Sequence, residues 1–242
     1  MSNIIEVKNL TKKFDKTIAV DKVSFVVREG EILGFLGPNG AGKTTTIQML
    51  LGLLEPTSGS VKIFGKDIAK DRQVILQRVN FSSAYIIMPY NLTVQESLTV
   101  FGHLYQVPNL RAKITELITL FDLADIKNTL VGKLSSGQQT RLNLAKVFIN
   151  DPEILFLDEP TASLDPVVAH KVRALLKDLH RRHKLTILYT SHNMAEVRQI
   201  VDRVIFLDHG AIVAQGSPAN IARRHGKGDL EQAFIELTRE AR

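Results

Sequence analysis

Gly37-Pro38-Asn39-Gly40-Ala41-Gly42-Lys43-Thr44 is the stretch on which the reading of this 242-residue chain turns. Ile32 to Leu36, just ahead of it, is a short apolar run of buried-strand type, and a helix is expected to begin near Lys43. Strand, glycine-rich loop and helix in that order bind phosphate. The glycines let backbone N–H groups wrap phosphate oxygens, and the helix N-terminus adds positive potential. Lys43 can reach β- and γ-phosphates, while Thr44, followed by Thr45, brings a hydroxyl to Mg2+. Four constrained positions in this context separate the stretch from a plain glycine turn before an ordinary helix.

Such a loop needs an acidic companion, and Leu155-Phe156-Leu157-Asp158-Glu159 supplies one. A hydrophobic strand over Ile154 to Leu157 delivers two carboxylates to its end. Asp158 is suited to hold a hydrated Mg2+, and Glu159 to orient or polarise an attacking water for phosphoryl transfer. Asp165-Pro166 then reads as a helix N-cap and first-turn proline. Val168, Val172, Leu175, Leu176 and Leu179 form the apolar face of the helix that follows.

Outward from these two motifs, Ile4 to Leu10 and Ile18 to Val27 read as strands, and Val61 to Phe64 as another, ended by Gly65. From Leu92 to Asn150 the pattern is mostly helical, with breaks at Pro108 and around Gly132 to Gly137. Strands resume at Thr186 to Thr190, Val204 to Leu207 and Ile212 to Val213. A helical stretch through Leu230 to Leu237 follows, and the sequence does not identify its packing partner. The fold class expected is α/β.

Composition narrows the chemistry. The chain is 44% hydrophobic and 23% charged, as expected of a globular protein, and it has no cysteine. That excludes disulfides, thiolate-held metals and cysteine nucleophiles. No run of about 18 apolar residues suggests a membrane span, and MSNIIEVKNLTKKF carries charges where a signal peptide needs its apolar segment. A net charge of +6 is compatible with nucleic acid, anionic lipid or an acidic nucleotide and does not choose among them. The basic clusters His180-Arg181-Arg182-His183-Lys184 and Arg223-Arg224-His225-Gly226-Lys227 lack interleaved aromatics and read as solvated helix ends.

Together these motifs resemble ATP-binding cassette (ABC) transporter ATPases over nearly the whole chain. The resemblance implies a P-loop NTPase core with an N-terminal antiparallel β subdomain and an inserted helical subdomain. Phe14 matches the adenine-stacking aromatic. Leu134-Ser135-Ser136-Gly137-Gln138-Gln139 occupies the family's signature position, where Ser135 and Gly137 contact the γ-phosphate of ATP held by the opposing subunit. An anion clamp of short residues at a helix N-terminus is physically sensible. Ser136 stands where glycine is more usual. Ser163-Leu164-Asp165 matches the loop that crosses the dimer interface, and His192 in Thr190-Ser191-His192-Asn193 matches the histidine that senses the γ-phosphate and supports Glu159. Matched without gaps, Ala84 falls where a glutamine or acidic residue normally approaches Mg2+ and couples to the membrane partner, and a methyl group can neither accept nor donate a hydrogen bond. A shifted loop would bring in Gln77 or a serine instead.

The resemblance thus implies an ATPase using ATP and Mg2+. Residues 1–83 and 151–217 would form its ATP-binding core, 84–150 its helical subdomain and 218–242 a C-terminal helical extension. Its expected partners are a second, identical nucleotide-binding subunit and a separate transmembrane permease, to which it would attach peripherally from the cytoplasm. The wording around Asn91-Leu92-Thr93-Val94, His103-Leu104-Tyr105 and Ile212 to Pro218 most resembles bacterial export-type cassettes. Two alternatives stay open: a soluble cassette acting on nucleic acid or translation, and a non-hydrolytic regulatory switch. The first usually brings a second cassette, a coiled coil or a nucleic-acid insertion. None is visible, so no direct nucleic-acid partner is expected.

Overall fold

A computed structural model describes residues 2–83, 88–162, 164–226 and 228–240. Ala84 and Ser163 therefore lie outside the described residues, as does Lys227 of the second basic cluster. In chain order the first elements are β1 (Asn3–Phe14), β2 (Thr17–Arg28), β3 (Ile32–Leu36), α1 (Lys43–Leu50), β4 (Ser58–Ile63), β5 (Lys66–Asp67) and α2 (Ile68–Leu76). β6 (Val79–Ser83), α3 (Val94–Leu104), α4 (Leu110–Leu120), α5 (Ser136–Val147), β7 (Ile154–Asp158) and α6 (Pro166–His183) follow. The chain continues with β8 (Thr186–Thr190), α7 (Met194–Ile200), β9 (Arg203–Asp208), β10 (Ala211–Gly216), α8 (Pro218–His225) and α9 (Leu230–Glu240).

Contacts divide the chain into two compact units, Met1–Leu76 with Lys184–Arg242, and Gln77–His183. In the first unit, β2, β1, β4 and β5 form an antiparallel sheet in that spatial order. A second set runs β10, β9, β3, β8, with β3 parallel to both β8 and β9 and β10 antiparallel to β9. All five residues of β3 and of β8 are buried, as apolar strands covered on both faces must be. Phe25 and Phe35 meet at 5.6 Å between ring centroids in this core. Arg203 clamps the unit from within: its Nε donates to Glu31 Oε1 at 2.6 Å, and its Nη2 to the Val26 carbonyl at 2.6 Å. The C-terminal stretch finds its partner in the same unit. Phe234 of α9 lies 5.8 Å from Phe206 of β9, and Leu230, Ala233 and Leu237 are buried.

In the second unit β6 and β7 pair in parallel, Val79 opposite Ile154 through Ser83 opposite Asp158. Its helices have explicit start signals. Thr93 and Glu96 form a capping box at α3, while Pro108 and the left-handed Asn109 separate α3 from α4. Asp165 Oδ1 accepts the N–H groups of Val167 and Val168 at 3.0 and 3.1 Å, the N-cap expected ahead of Pro166. Along α6, Ala169, Val172, Leu176 and Leu179 are buried; Val168 and Leu175 are half-buried at the edge of the stripe. The basic runs close the last turns of α6 and α8, where cations complement the helix dipole. The strand β6 and the helices α2 and α7 go beyond the segments expected from periodicity, being too short to show it.

Candidate functional site

The phosphate loop joins β3 to α1 and is shaped by its own surroundings. Gly42, the residue before α1, has φ of 96°, and a Cβ there would lie 2.4 Å from the Ala19 carbonyl oxygen. At Gly37 a Cβ would come within 2.3 Å of the Leu207 carbonyl oxygen. Both positions therefore demand glycine. The Gly210 N–H donates to the Ala41 carbonyl at 3.2 Å, tying the β9–β10 turn to the loop. Among the described residues no side chain caps α1, and no acidic residue occupies its first turn, so its positive end keeps its field. Lys43 Nζ donates to the carbonyls of Gly37 at 2.7 Å and Pro38 at 3.0 Å, which places an ammonium against the loop backbone. Asn39, Gly40 and Thr44 are exposed, Pro38 and Thr45 half-buried and Ala41 buried. A glycine cradle, an uncapped helix start, a lysine and two threonine hydroxyls suit a polyphosphate with its Mg2+.

The same unit holds Phe14 and His192. Phe14 ends β1 with 47% of its surface exposed and Lys12 Nζ 5.1 Å above its ring, an accessible aromatic at a strand end. His192 is exposed in the turn between β8 and α7.

In the other unit, Asp158 ends β7 opposite Ser83, and both it and Glu159 are half-buried. Glu159 has φ of 51°, a left-handed conformation that costs a non-glycine residue energy and turns the chain sharply where the strand stops. Its carbonyl accepts the Ala162 N–H at 3.2 Å, closing that turn. The second carboxylate thus follows the first on a different backbone course, which the sequence alone did not reveal.

Ser135 is the N-cap of α5, with Ser136 and Gly137 in the first turn. Its Oγ accepts the Gln138 N–H at 3.3 Å, and Gln138 Oε1 accepts the Ser135 N–H at 2.9 Å. The cap uses a lone pair of Ser135 Oγ and leaves its proton to donate. Among the described residues, a Cβ at Gly137 would meet only methyl groups of Val168, at 3.7 Å, an ordinary contact. Farther along α5, Lys146 is buried; its Nζ donates to the Phe81 carbonyl at 3.3 Å and sits 5.3 Å over the Phe101 ring. Burial pushes its ammonium down to about 8.

Residues 20–162 match the family model described as ABC transporter. This chain belongs to the ABC transporter family. Among its relatives, the bacitracin transport ATP-binding protein BcrA of Bacillus licheniformis is 37% identical over 227 residues, spanning 94% of this chain and 74% of that protein. A fluoroquinolone export ATP-binding protein of Mycobacterium tuberculosis is 41% identical over 222 residues, 91% of this chain and 73% of its own length. A solved ATP-binding subunit of an ABC transporter superposes with a TM-score of 0.87 at 26% identity, covering 97% of this chain and 99% of the other. A dimeric ATP-binding cassette in a post-hydrolysis state with ADP and Pi gives a TM-score of 0.77 at 25% identity, covering 88% and 98%. The cassette is an ATP-binding subunit and an ATPase, and it uses ATP with Mg2+; the two relatives named above are ATP-binding proteins for bacitracin transport and fluoroquinolone export. No described helix is long and apolar enough to cross a membrane.

Proposed function

We propose that this ABC cassette works as one of two identical subunits that close head to tail on ATP and so drive a separate membrane-spanning exporter. The observation that carries the reading is Gly137. Glycine early in a helix costs stability relative to alanine, and nothing among the described residues of its own unit requires it, because a Cβ there has room. A glycine that the fold does not need, beside a serine with a proton to donate, suits close approach by an anion from outside the chain.

The remaining roles follow from residue chemistry. The backbone from Gly37 to Thr45 wraps the phosphates and Lys43 neutralises their charge. Thr44 and Asp158 are hard oxygen ligands suited to Mg2+, and Phe14 offers a face for the adenine. Glu159 orients water, and His192 supports it. Bound ATP supplies the phosphoanhydride to be cleaved. Asp165, the last residue of the loop Ser163-Leu164-Asp165 expected at the dimer interface, uses one carboxyl oxygen to cap α6, which fixes the chain course there. Residues 84–150, the proposed helical subdomain, would carry the contact with the permease, holding the cassette at the cytoplasmic face of the membrane. The core would comprise 1–83 and 151–217, with 218–242 as its extension.

Sedimentation of the Glu159→Gln protein tests the pairing: ATP with Mg2+ should convert monomer to dimer and ADP should not. A protein that stays monomeric with saturating ATP would contradict it. Mild-detergent co-purification from native membranes, followed by mass identification, should return an integral membrane protein; recovery with nucleic acid or ribosomes alone would favour the other class.

A further inference from the structure

Glu196 is only 4% exposed, on a short helix directly after the exposed His192. Burying a carboxyl group is costly unless hydrogen bonds replace its water. Here Tyr189 Oη donates to Oε1 at 2.5 Å and Ser191 Oγ donates to Oε2 at 3.2 Å. Ser191 Oγ also accepts the Asn193 N–H at 3.1 Å, and Asn193 Oδ1 accepts the Glu196 N–H at 3.1 Å. Residues 191 and 193, on either side of His192, are therefore joined to each other and to one residue, Ser191 to the Glu196 carboxyl and Asn193 to the Glu196 N–H, and that carboxyl is tied to the end of β8 by the fully buried Tyr189.

Helix capping alone does not explain this. At α3 and α5 the third residue after the cap, Glu96 or Gln138, folds back to the N-cap N–H. Glu196 holds the same position in α7, but the N–H of Asn193 is engaged by Ser191, and the Glu196 carboxyl receives Tyr189 and Ser191 instead. A reach-back would serve the helix at lower desolvation cost. The arrangement found here spends a buried carboxyl on fixing the backbone around the histidine.

We propose that Tyr189, Ser191 and Glu196 form a clasp that holds His192 in its working position, making Glu196 a positioning residue for hydrolysis. The inference rests on the assignment of His192 above. Its action would be on the rate of cleavage rather than on ATP binding, because none of the three side chains belongs to the phosphate loop.

The test is a mutant cycle with His192→Ala. Tyr189→Phe removes one hydroxyl and keeps the buried ring; Glu196→Gln keeps the shape of the side chain. Steady-state ATPase assays should show each lowering kcat about tenfold with KM within about twofold, as expected when a group that aligns another is loosened. In the His192→Ala background, followed under single-turnover conditions so that slow rates stay measurable, neither change should lower the rate further. An equal fold-loss in both backgrounds, or an unchanged kcat in the single variants, would overturn the clasp while leaving His192 in place. An unchanged kcat in His192→Ala alone would overturn the assignment of His192 and the clasp with it. Should Glu196→Gln unfold in thermal melts, Tyr189→Phe carries the test.

Discussion

Two glycine-bearing helix starts in this cassette obey different masters. At the phosphate loop, Gly37 and Gly42 are demanded by the chain itself, since a Cβ would strike the carbonyl oxygens of Leu207 and Ala19. The helix that follows, α1, has no side-chain cap and presents its bare N-terminus. At the signature helix, α5 is fully capped by Ser135 and Gln138, and Gly137 has room for a methyl group. One start is shaped from inside the unit. The other is locally complete among the described residues of its unit, as the proposed pairing with a second chain requires.

Substituting on each side should break this contrast if it is wrong. Gly42→Ala should cost roughly 2–4 kcal/mol, combining left-handed strain with a backbone collision, and should abolish ATP binding; chemical denaturation and a nucleotide-binding titration would show both. Ser135→Ala removes the cap of α5 and should cost roughly 1–2 kcal/mol, with ATP binding to the monomer unchanged. Lys146 anchors the far end of that helix. Its ammonium is depressed to about 8 in the fold, whereas an unfolded lysine stays protonated to about 10.4. The unfolded chain therefore binds more protons above pH 8, and stability should rise with pH there, by about 1 kcal/mol between about pH 7.5 and 9. In Lys146→Met that rise should vanish from denaturation curves. The smallest change in stability is expected at Gly137→Ala, a gain of about 0.5 kcal/mol in the same measurement, alongside loss of ATP-driven pairing. A clear destabilisation there would mean that the fold does need the glycine after all.

What the sequence made legible were constraints carried by residue type at short spacing. The run Gly37 to Thr45, the strand ending in Asp158 and Glu159, the Asp165 cap and the break at Pro108 each depend on neighbours within a few positions. Contacts between distant segments were hidden. Nothing near Gly37 in the chain says that Leu207 will press on it, and nothing near Ala19 marks it as the carbonyl that crowds Gly42. The left-handed turn at Glu159 was equally invisible, because its residue type does not favour that conformation. Periodicity marked Leu92 to Asn150 as mostly helical, yet the compact unit runs from Gln77 to His183 and includes β6, β7 and α6, because strand pairing and packing across long separations set its limits.

Mixing two inactive variants tests most directly whether the signature glycine serves the opposite subunit. Lys43→Ala lacks the loop lysine and Gly137→Ala lacks the signature glycine, so each alone should hydrolyse ATP at background rate. In a mixed pair, Lys43 of one chain and Gly137 of the other restore one complete site. ATPase activity should reappear on mixing and follow the fraction of mixed dimers. If the mixture stays at the sum of its two inactive parts while mixed dimers form, Gly137 acts on its own chain and the account fails.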